Sequence, residues 1–246
     1  MSQPNAEAQK SSGSVMEDLI NIFVNPAAVF EHQRDNGFVT PALVQTILLT
    51  LLTFALHNLL APFVDADFAR GMAKASAKAA ASGQPMPEQA KGMMETVQKF
   101  SLYAAAVLGP WFIAIFGGIV VWLISKIVGA KMAVSQGMTI AAWAAMPMIL
   151  GSVTMAIFGM MADPQTVRGS GDGQLGALRF FDPDTTSPLL TEILRRLDLF
   201  ALWEVVLTAI GISVVGRVSR GAGFAAAGIR WGLVALMFGM CASAGS

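Results

Sequence analysis

Charged residues are scarce in this chain: they make up 13% of its 246 residues, against roughly 25% in a typical globular protein. The sixteen basic residues equal the sixteen acidic ones, so the sequence lacks the basic surface that nucleic-acid binding needs. A single cysteine, Cys241, excludes a disulfide framework and a cysteine-ligated zinc site. We therefore expect no nucleic-acid partner, no bound metal and no cofactor.

Apolar residues are abundant instead, at 54% of the chain, and the mean hydropathy is +0.60. A helix needs about 20 apolar residues to cross the hydrocarbon core of a membrane, which is roughly 30 Å thick. The sequence therefore predicts an all-α, multi-pass membrane protein. Its long stretches with little or no charge predict five spans, at about 40–60, 101–125, 138–161, 199–216 and 222–242.

Basic residues in the loops predict the orientation. The connections after the second and fourth spans are short, and they contain Lys126, Lys131, Arg217 and Arg220 without any acidic residue. In the two long connections, by contrast, acidic residues dilute the basic ones. Because short basic loops stay in the cytoplasm, we expect the N-terminus inside the cell and the C-terminus outside.

The N-terminal segment before the first span is predicted in two parts. Residues 1–13 are polar and are expected to be disordered. Residues 14–37 are expected to form cytoplasmic interfacial helices, because Ser14 and Glu17 have the spacing of a capping box and Asn25-Pro26 is a second helix start. The first of these helices has an apolar face and is predicted to lie on the membrane surface; the face consists of Val15, Leu19, Ile22 and Phe23.

Two charges fall inside the predicted spans, Glu204 in the fourth and Arg230 in the fifth. A charge at membrane depth costs about 2.5 kcal/mol or more on insertion scales, so it normally faces protein or water. Glu204 lies 15 residues before Ser219 in the connecting turn and Arg230 lies 11 after it. That depth difference of about 6 Å is within reach of an arginine side chain. We predict a Glu204–Arg230 contact, which is either a structural ion pair or part of an ion or proton pathway.

Small residues recur at spacings of three and four along the fifth span and share one helical face. They are Gly228, Gly232, Ala235, Gly239 and Ala242. Small side chains allow membrane helices to approach closely. The face therefore predicts a packing surface, either within the protein or toward a second copy or another membrane protein.

Three further residues have a functional and a structural interpretation. His57, at the end of the first span, is a candidate pH-sensitive polar site, and the alternative is an ordinary interfacial residue. Pro110 and Pro147 are expected to kink the second and third spans. Broken helices can line a substrate site, but an isolated proline also simply shapes a helix bundle.

Several segments together resemble the Yip1 domain, from Leu19 to the end of the chain. The elements that carry the resemblance are Asn25-Pro26 with Phe30, Pro41, the Gly129 turn with Ala141 to Pro147, and the segment Asp198 to Gly211 followed by a basic turn. Membership implies a five-span membrane protein with a cytosolic N-terminus. Eukaryotic members are linked to vesicle traffic and Rab GTPases. The short N-terminal region is similar to that of bacterial members, so a bacterial cytoplasmic membrane is expected and Rab binding is not inferred.

The functional prediction is a non-enzymatic scaffold or membrane-organising factor that contacts membrane lipids and other membrane proteins. The alternative is a small transporter or channel that uses Glu204. An enzyme is not expected, because the sequence contains no recognisable nucleophile and base, metal cluster or phosphate-binding glycine loop.

Overall fold

The computed structural model describes residues 15–84 and 86–245, so the predicted disordered segment and Ser14 lie outside the described residues. The described part of the chain is helical. Its α-helices are α1 (Val15–Val24), α2 (Pro26–His32), α3 (Val39–Ala55), α4 (His57–Ala81), α5 (Glu88–Phe112), α6 (Gly118–Ile127), α7 (Val134–Ala144), α8 (Pro147–Met161), α9 (Pro188–Arg195), α10 (Leu199–Gly216) and α11 (Arg220–Gly245).

Four helical segments are long and apolar enough to cross a membrane, which confirms an all-α, multi-pass membrane protein. They are Phe100–Ile127, Val134–Met161, Leu199–Gly216 and Arg220–Ser243. These segments coincide with the second to fifth predicted spans. We call the end of the bundle with the short basic turns the turn end, and the end with the long connections the loop end.

The first predicted span differs from the structure. Helix α3 ends at Ala55, five residues before the predicted end at residue 60, and α4 leaves it at an angle of 88°. The two helices form a fifth candidate span only if they are taken together. The apolar run continues past the bend because Leu60 and Phe63 are needed for packing: both are buried in α4, which contacts α8.

Both predicted proline kinks correspond to irregular backbone. Pro110 lies near the end of α5, and the turn that follows, Ile113–Gly117, is π-helical before α6 resumes the α-helix. Pro110 has no N–H for the helical hydrogen bond, which favours such a distortion. Pro147 is the first residue of α8, directly after the break that separates α8 from α7.

The main core lies among α2, α6, α7 and α10. Its largest fully buried side chains include Trp143, Phe30, Ile140, Leu207 and Ile212. Polar side chains also serve the packing: Gln45 of α3 is 2% exposed and donates a hydrogen bond of 2.7 Å to the Ala142 carbonyl of α7. That bond satisfies an amide that would otherwise be costly to bury.

Helices α1 and α2 form a tight helical hairpin that is held by polar contacts. Asp18 is 3% exposed, and one of its carboxylate oxygens lies 3.0 Å from His32 Nδ1. Gln33 Nε2 donates to the same oxygen. Since Asp18 begins the hairpin and the other two residues end it, these contacts close it at its open end.

The α1–α2 hairpin packs along α10. Near the hairpin tip, the Phe23 ring meets the Trp203 ring edge-on, with centroids 5.4 Å apart. Further along α10, the Phe30 ring reaches the backbone of Gly211, where an added Cβ would lie 3.1 Å from it. The hairpin therefore lines a candidate span.

The apolar face predicted for α1 lies largely against the protein. Ile22 is fully buried and Phe23 packs on Trp203. Val15 of the predicted face is 39% exposed, together with a different set of α1 side chains: Met16, Ile20 and Val24. A position on the membrane surface stays a prediction, and in the structure these four exposed side chains are available to meet lipid.

We expect Asp18→Ala to loosen the hairpin. The substitution leaves the buried Gln33 amide without its acceptor, which costs about 2 kcal/mol. Hydrogen exchange of residues 15–33 should increase and the thermal midpoint should fall. Glu31→Ala, at an exposed position of α2, serves as the control and should change neither quantity. Equal effects of the two substitutions would contradict a specific closing role for Asp18.

Candidate intramembrane charge cluster

The structure brings Glu204 and Arg230 together. Arg230 Nη2 donates a hydrogen bond of 2.8 Å to Glu204 Oε1, and the side chains are 12% and 19% exposed for Arg230 and Glu204. The contact joins α10 to α11, as the depth comparison along the sequence predicted. A charge-assisted bond of this length shields both groups from the surrounding apolar medium.

The arginine lies against a glycine in the π-helical turn. A Cβ added at Gly117 would lie 3.8 Å from Arg230 Nη2 and 3.8 Å from Ala141 Cβ. The guanidinium therefore lies in a corner between α11, α10 and the π-helical turn. Turns of this type occur frequently at functional sites.

A break in the helix lies at the loop end of α10. Helix α9 ends at Arg195, and α10 starts after Asp198. The Asp198 side chain caps α10 by accepting hydrogen bonds from the backbone N–H groups of Phe200, at 2.9 Å, and Ala201, at 3.3 Å. Residues 175–177 of the long connection pair with residues 197–199 through backbone hydrogen bonds. Helix α9 therefore does not continue into the fourth span, which begins as a separate helix after the break.

The break holds a second arginine next to the ion pair. The Arg196 guanidinium carbon lies 5.3 Å from the centre of the Phe238 ring, and the Arg196 carbonyl accepts a hydrogen bond of 3.3 Å from the Trp231 indole. Burial lowers the pKa of the Arg196 guanidinium below its usual range, although the nearby charges of Glu192 and Glu204 oppose that effect. Arg196 has no salt-bridge partner in the described ranges.

Arg196, Glu204 and Arg230 together form what we call the charge cluster. It carries two positive charges and one negative charge. The Nε atoms of both arginines are buried and lack a hydrogen-bond acceptor among the described residues. Glu204 is therefore paired with Arg230, whereas the two Nε–H donors remain without an acceptor. Arg196 is not among the site residues predicted from the sequence; its position two residues before the Asp198 cap was the available signal.

The comparisons with known proteins agree with this architecture. A family model described as the Yip1 domain matches residues 20–242. The chain belongs to the Yip1-domain family. It is similar to the membrane protein YknW of Bacillus subtilis (strain 168), with 22% identity over 228 residues, 92% of this chain and 91% of the relative. No solved structure matches it significantly.

The predicted small-residue face of this Yip1-family protein is divided in the structure. Gly239 packs closely on α9, with Leu189 Cα 3.3 Å from the position of an added Cβ, and Ala235 is 2% exposed. Gly228 and Gly232 have no neighbour within 4 Å of an added Cβ, and Ala242 is exposed. Within the described chain, the face is therefore used for packing at Ala235 and Gly239 and is open on either side of them.

His57 of this Yip1-family protein lies at the start of α4, directly after the bend. Its Nδ1 is 3.4 Å from the Tyr103 hydroxyl, and the two rings stack with centroids 5.9 Å apart. The contact joins α4 to α5. It gives His57 a packing role beside the 88° bend, and it lies apart from the charge cluster in the described contacts. A pH-sensing role for His57 stays a prediction.

Proposed function

We propose that this Yip1-family protein is a non-enzymatic scaffold of the bacterial cytoplasmic membrane that acts through lateral contacts with lipids and other membrane proteins. The observation that carries this proposal is the outward surface of α11. In the most apolar 18-residue stretch of α11, only 22% is buried inside the protein, the lowest share among the four candidate spans. Large side chains such as Leu233 and Met237 are more than half exposed. This surface is open to lipid and to partner helices.

The state of Glu204 supports a scaffold over a transporter. A carboxylate that carries ions or protons along a pathway has to change its partner or its protonation during each cycle. Glu204 is instead held by Arg230 at 2.8 Å in a mostly buried contact. Such a pair fixes the relative position of α10 and α11, which a scaffold needs.

We expect lateral contacts to be captured at the open part of α11. A cysteine introduced as Gly232→Cys, in a chain whose exposed Cys241 has been replaced by serine, should form disulfides with a cysteine of a neighbouring protein when native membranes are treated with the oxidant copper phenanthroline. Ala226→Cys is the matched control on the same helix, because Ala226 is fully buried. Gel mobility and mass spectrometry of the adducts would distinguish a second copy from another protein.

Two results would contradict the scaffold. The first is a Gly232→Cys chain that reacts with a membrane-permeant thiol reagent but forms no protein adduct. The second is a solute flux in liposomes that disappears in Glu204→Gln, which would favour the transporter instead.

A further inference from the structure

The charge cluster contains more positive charge than the described residues neutralise. Glu204 forms its ion pair with Arg230. Glu192, the other acidic group close to Arg196, lies 3.5 Å from Arg195 Nε. Arg196 is therefore half-buried, and no carboxylate lies within ion-pair distance of it in the part of the chain that the structure describes.

The hydrogen-bond donors of the charge cluster also indicate a missing anionic partner, and they do so without reference to the charges. Arg196 Nε and Arg230 Nε are both buried and neither has an acceptor in the described residues. A buried donor without an acceptor and a charge without a partner are each costly. The Phe238 ring, 5.3 Å from the Arg196 guanidinium, offers only a weak cation–π contact. The geometry therefore calls for an anionic group that accepts hydrogen bonds from Arg196.

The position of Arg196 in the chain indicates which kind of anion can bind it. It follows α9, an amphipathic helix with Leu189 and Leu190 partly exposed, and precedes the apolar span α10. The junction between an amphipathic helix and a span is where lipid headgroups are found. A planar guanidinium also matches the oxygens of a phosphate in a two-bond geometry.

We propose that the half-buried Arg196 guanidinium binds a phosphate group at the break between α9 and α10. The phosphate is carried by a phospholipid headgroup or is free in solution, and the two sources are separated below. The lipid form of this proposal rests on the proposed scaffold function, in which lipid contacts matter.

The test uses the full-length chain, purified in detergent and freed of lipid. Phosphatidylglycerol is expected to raise the thermal midpoint, whereas a phosphate-free glycolipid with the same acyl chains is not. A shift with phosphatidylglycerol and none with millimolar inorganic phosphate assigns the headgroup as the source, and an equal shift with inorganic phosphate assigns the free anion. Equal shifts with phosphatidylglycerol and the glycolipid would overturn the phosphate site.

Substitutions test whether the change in thermal midpoint caused by phosphatidylglycerol depends on Arg196. Arg196→Gln should bind phosphatidylglycerol roughly ten-fold more weakly, as expected for the loss of a charged hydrogen bond. Without lipid it should be at least as stable as the wild type, since it removes the unpaired charge. Arg196→Lys, which keeps a positive charge, should retain more binding than Arg196→Gln. Arg179→Gln is the matched control, because Arg179 also lies over a phenylalanine ring, 4.9 Å from that of Phe158, and it should bind like the wild type.

Native mass spectrometry of bound lipid provides a measurement that does not depend on stability. Unchanged lipid binding in Arg196→Gln, or an equal loss in Arg179→Gln, would overturn the proposal. Because both experiments use the purified protein alone, their failure leaves the cross-linking test of the scaffold function intact. A failed cross-linking test, in turn, leaves the phosphate site standing.

Discussion

Glu204→Gln is expected to destabilise the protein by about 3 kcal/mol, because it leaves Arg230 charged and mostly buried without its partner. The loss adds to an existing excess of positive charge, since Arg196 is already unpaired in the described structure. Arg230→Gln should cost a similar amount by leaving the glutamate alone. Thermal unfolding in a fixed detergent, followed by tryptophan fluorescence, measures both losses.

Coupling between the two residues is the critical measurement. A chain with both substitutions should lose less than the sum of the two single losses, and the charge-swapped chain with Glu204→Arg and Arg230→Glu should regain part of the stability. Glu88→Gln is the control, because its ion pair with Lys91 is 86% exposed on the glutamate side and is worth no more than about 1 kcal/mol. Independent, additive losses at 204 and 230 would contradict a paired contact.

Gly118→Leu is expected to cost about 3 kcal/mol or more, at the upper end of the range for overpacking. An added Cβ at Gly118 would lie 2.6 Å from the Met138 backbone nitrogen, so the side chain has no room where α6 crosses α7. The facing residue is also glycine: a Cβ on Gly137 would lie 2.6 Å from the Gly118 carbonyl oxygen. Backbone atoms line this contact, so small side-chain movements cannot relieve it.

The matched control is Gly232→Leu, which also places leucine in a membrane helix. No atom of the described chain lies within 4 Å of an added Cβ there, so the monomer should keep its thermal midpoint in detergent. In a chain that carries the cross-linking cysteine at Gly228→Cys instead, a position that is also open, Gly232→Leu should weaken the adducts with partners that pack on that part of α11. Equal destabilisation by the two leucine substitutions would contradict the helix contacts described above.

The sequence predicted those features that local composition determines. Stretches with little or no charge predicted the second to fifth spans, because crossing a membrane depends on the transfer of each apolar segment. Asn25-Pro26 predicted a helix start that the structure contains, because α2 begins at Pro26. The Glu204–Arg230 contact was also predictable, because a short turn fixes the depth of each residue relative to the other.

Features that depend on contacts between distant segments were not predictable in the same way. The end of α3 at Ala55 is hidden in the sequence by the apolar residues that follow, which pack on α8. Glycine spacing favoured the fifth span, yet α6 and α7 also meet backbone to backbone, at Gly118 and Gly137. A periodic pattern shows which residues share a face, but it does not show which face meets another helix.

The α1–α2 hairpin has a consequence for how the protein is made. Its packing surface includes Trp203 and Gly211 of α10, which the ribosome synthesises only after most of the chain has emerged. The α1–α2 hairpin therefore cannot pack on α10 until the fourth span has entered the bilayer. Closure of the hairpin onto α10 is then a late step of assembly, and a chain truncated before Leu199 would expose the apolar side of the hairpin to chaperones and proteases.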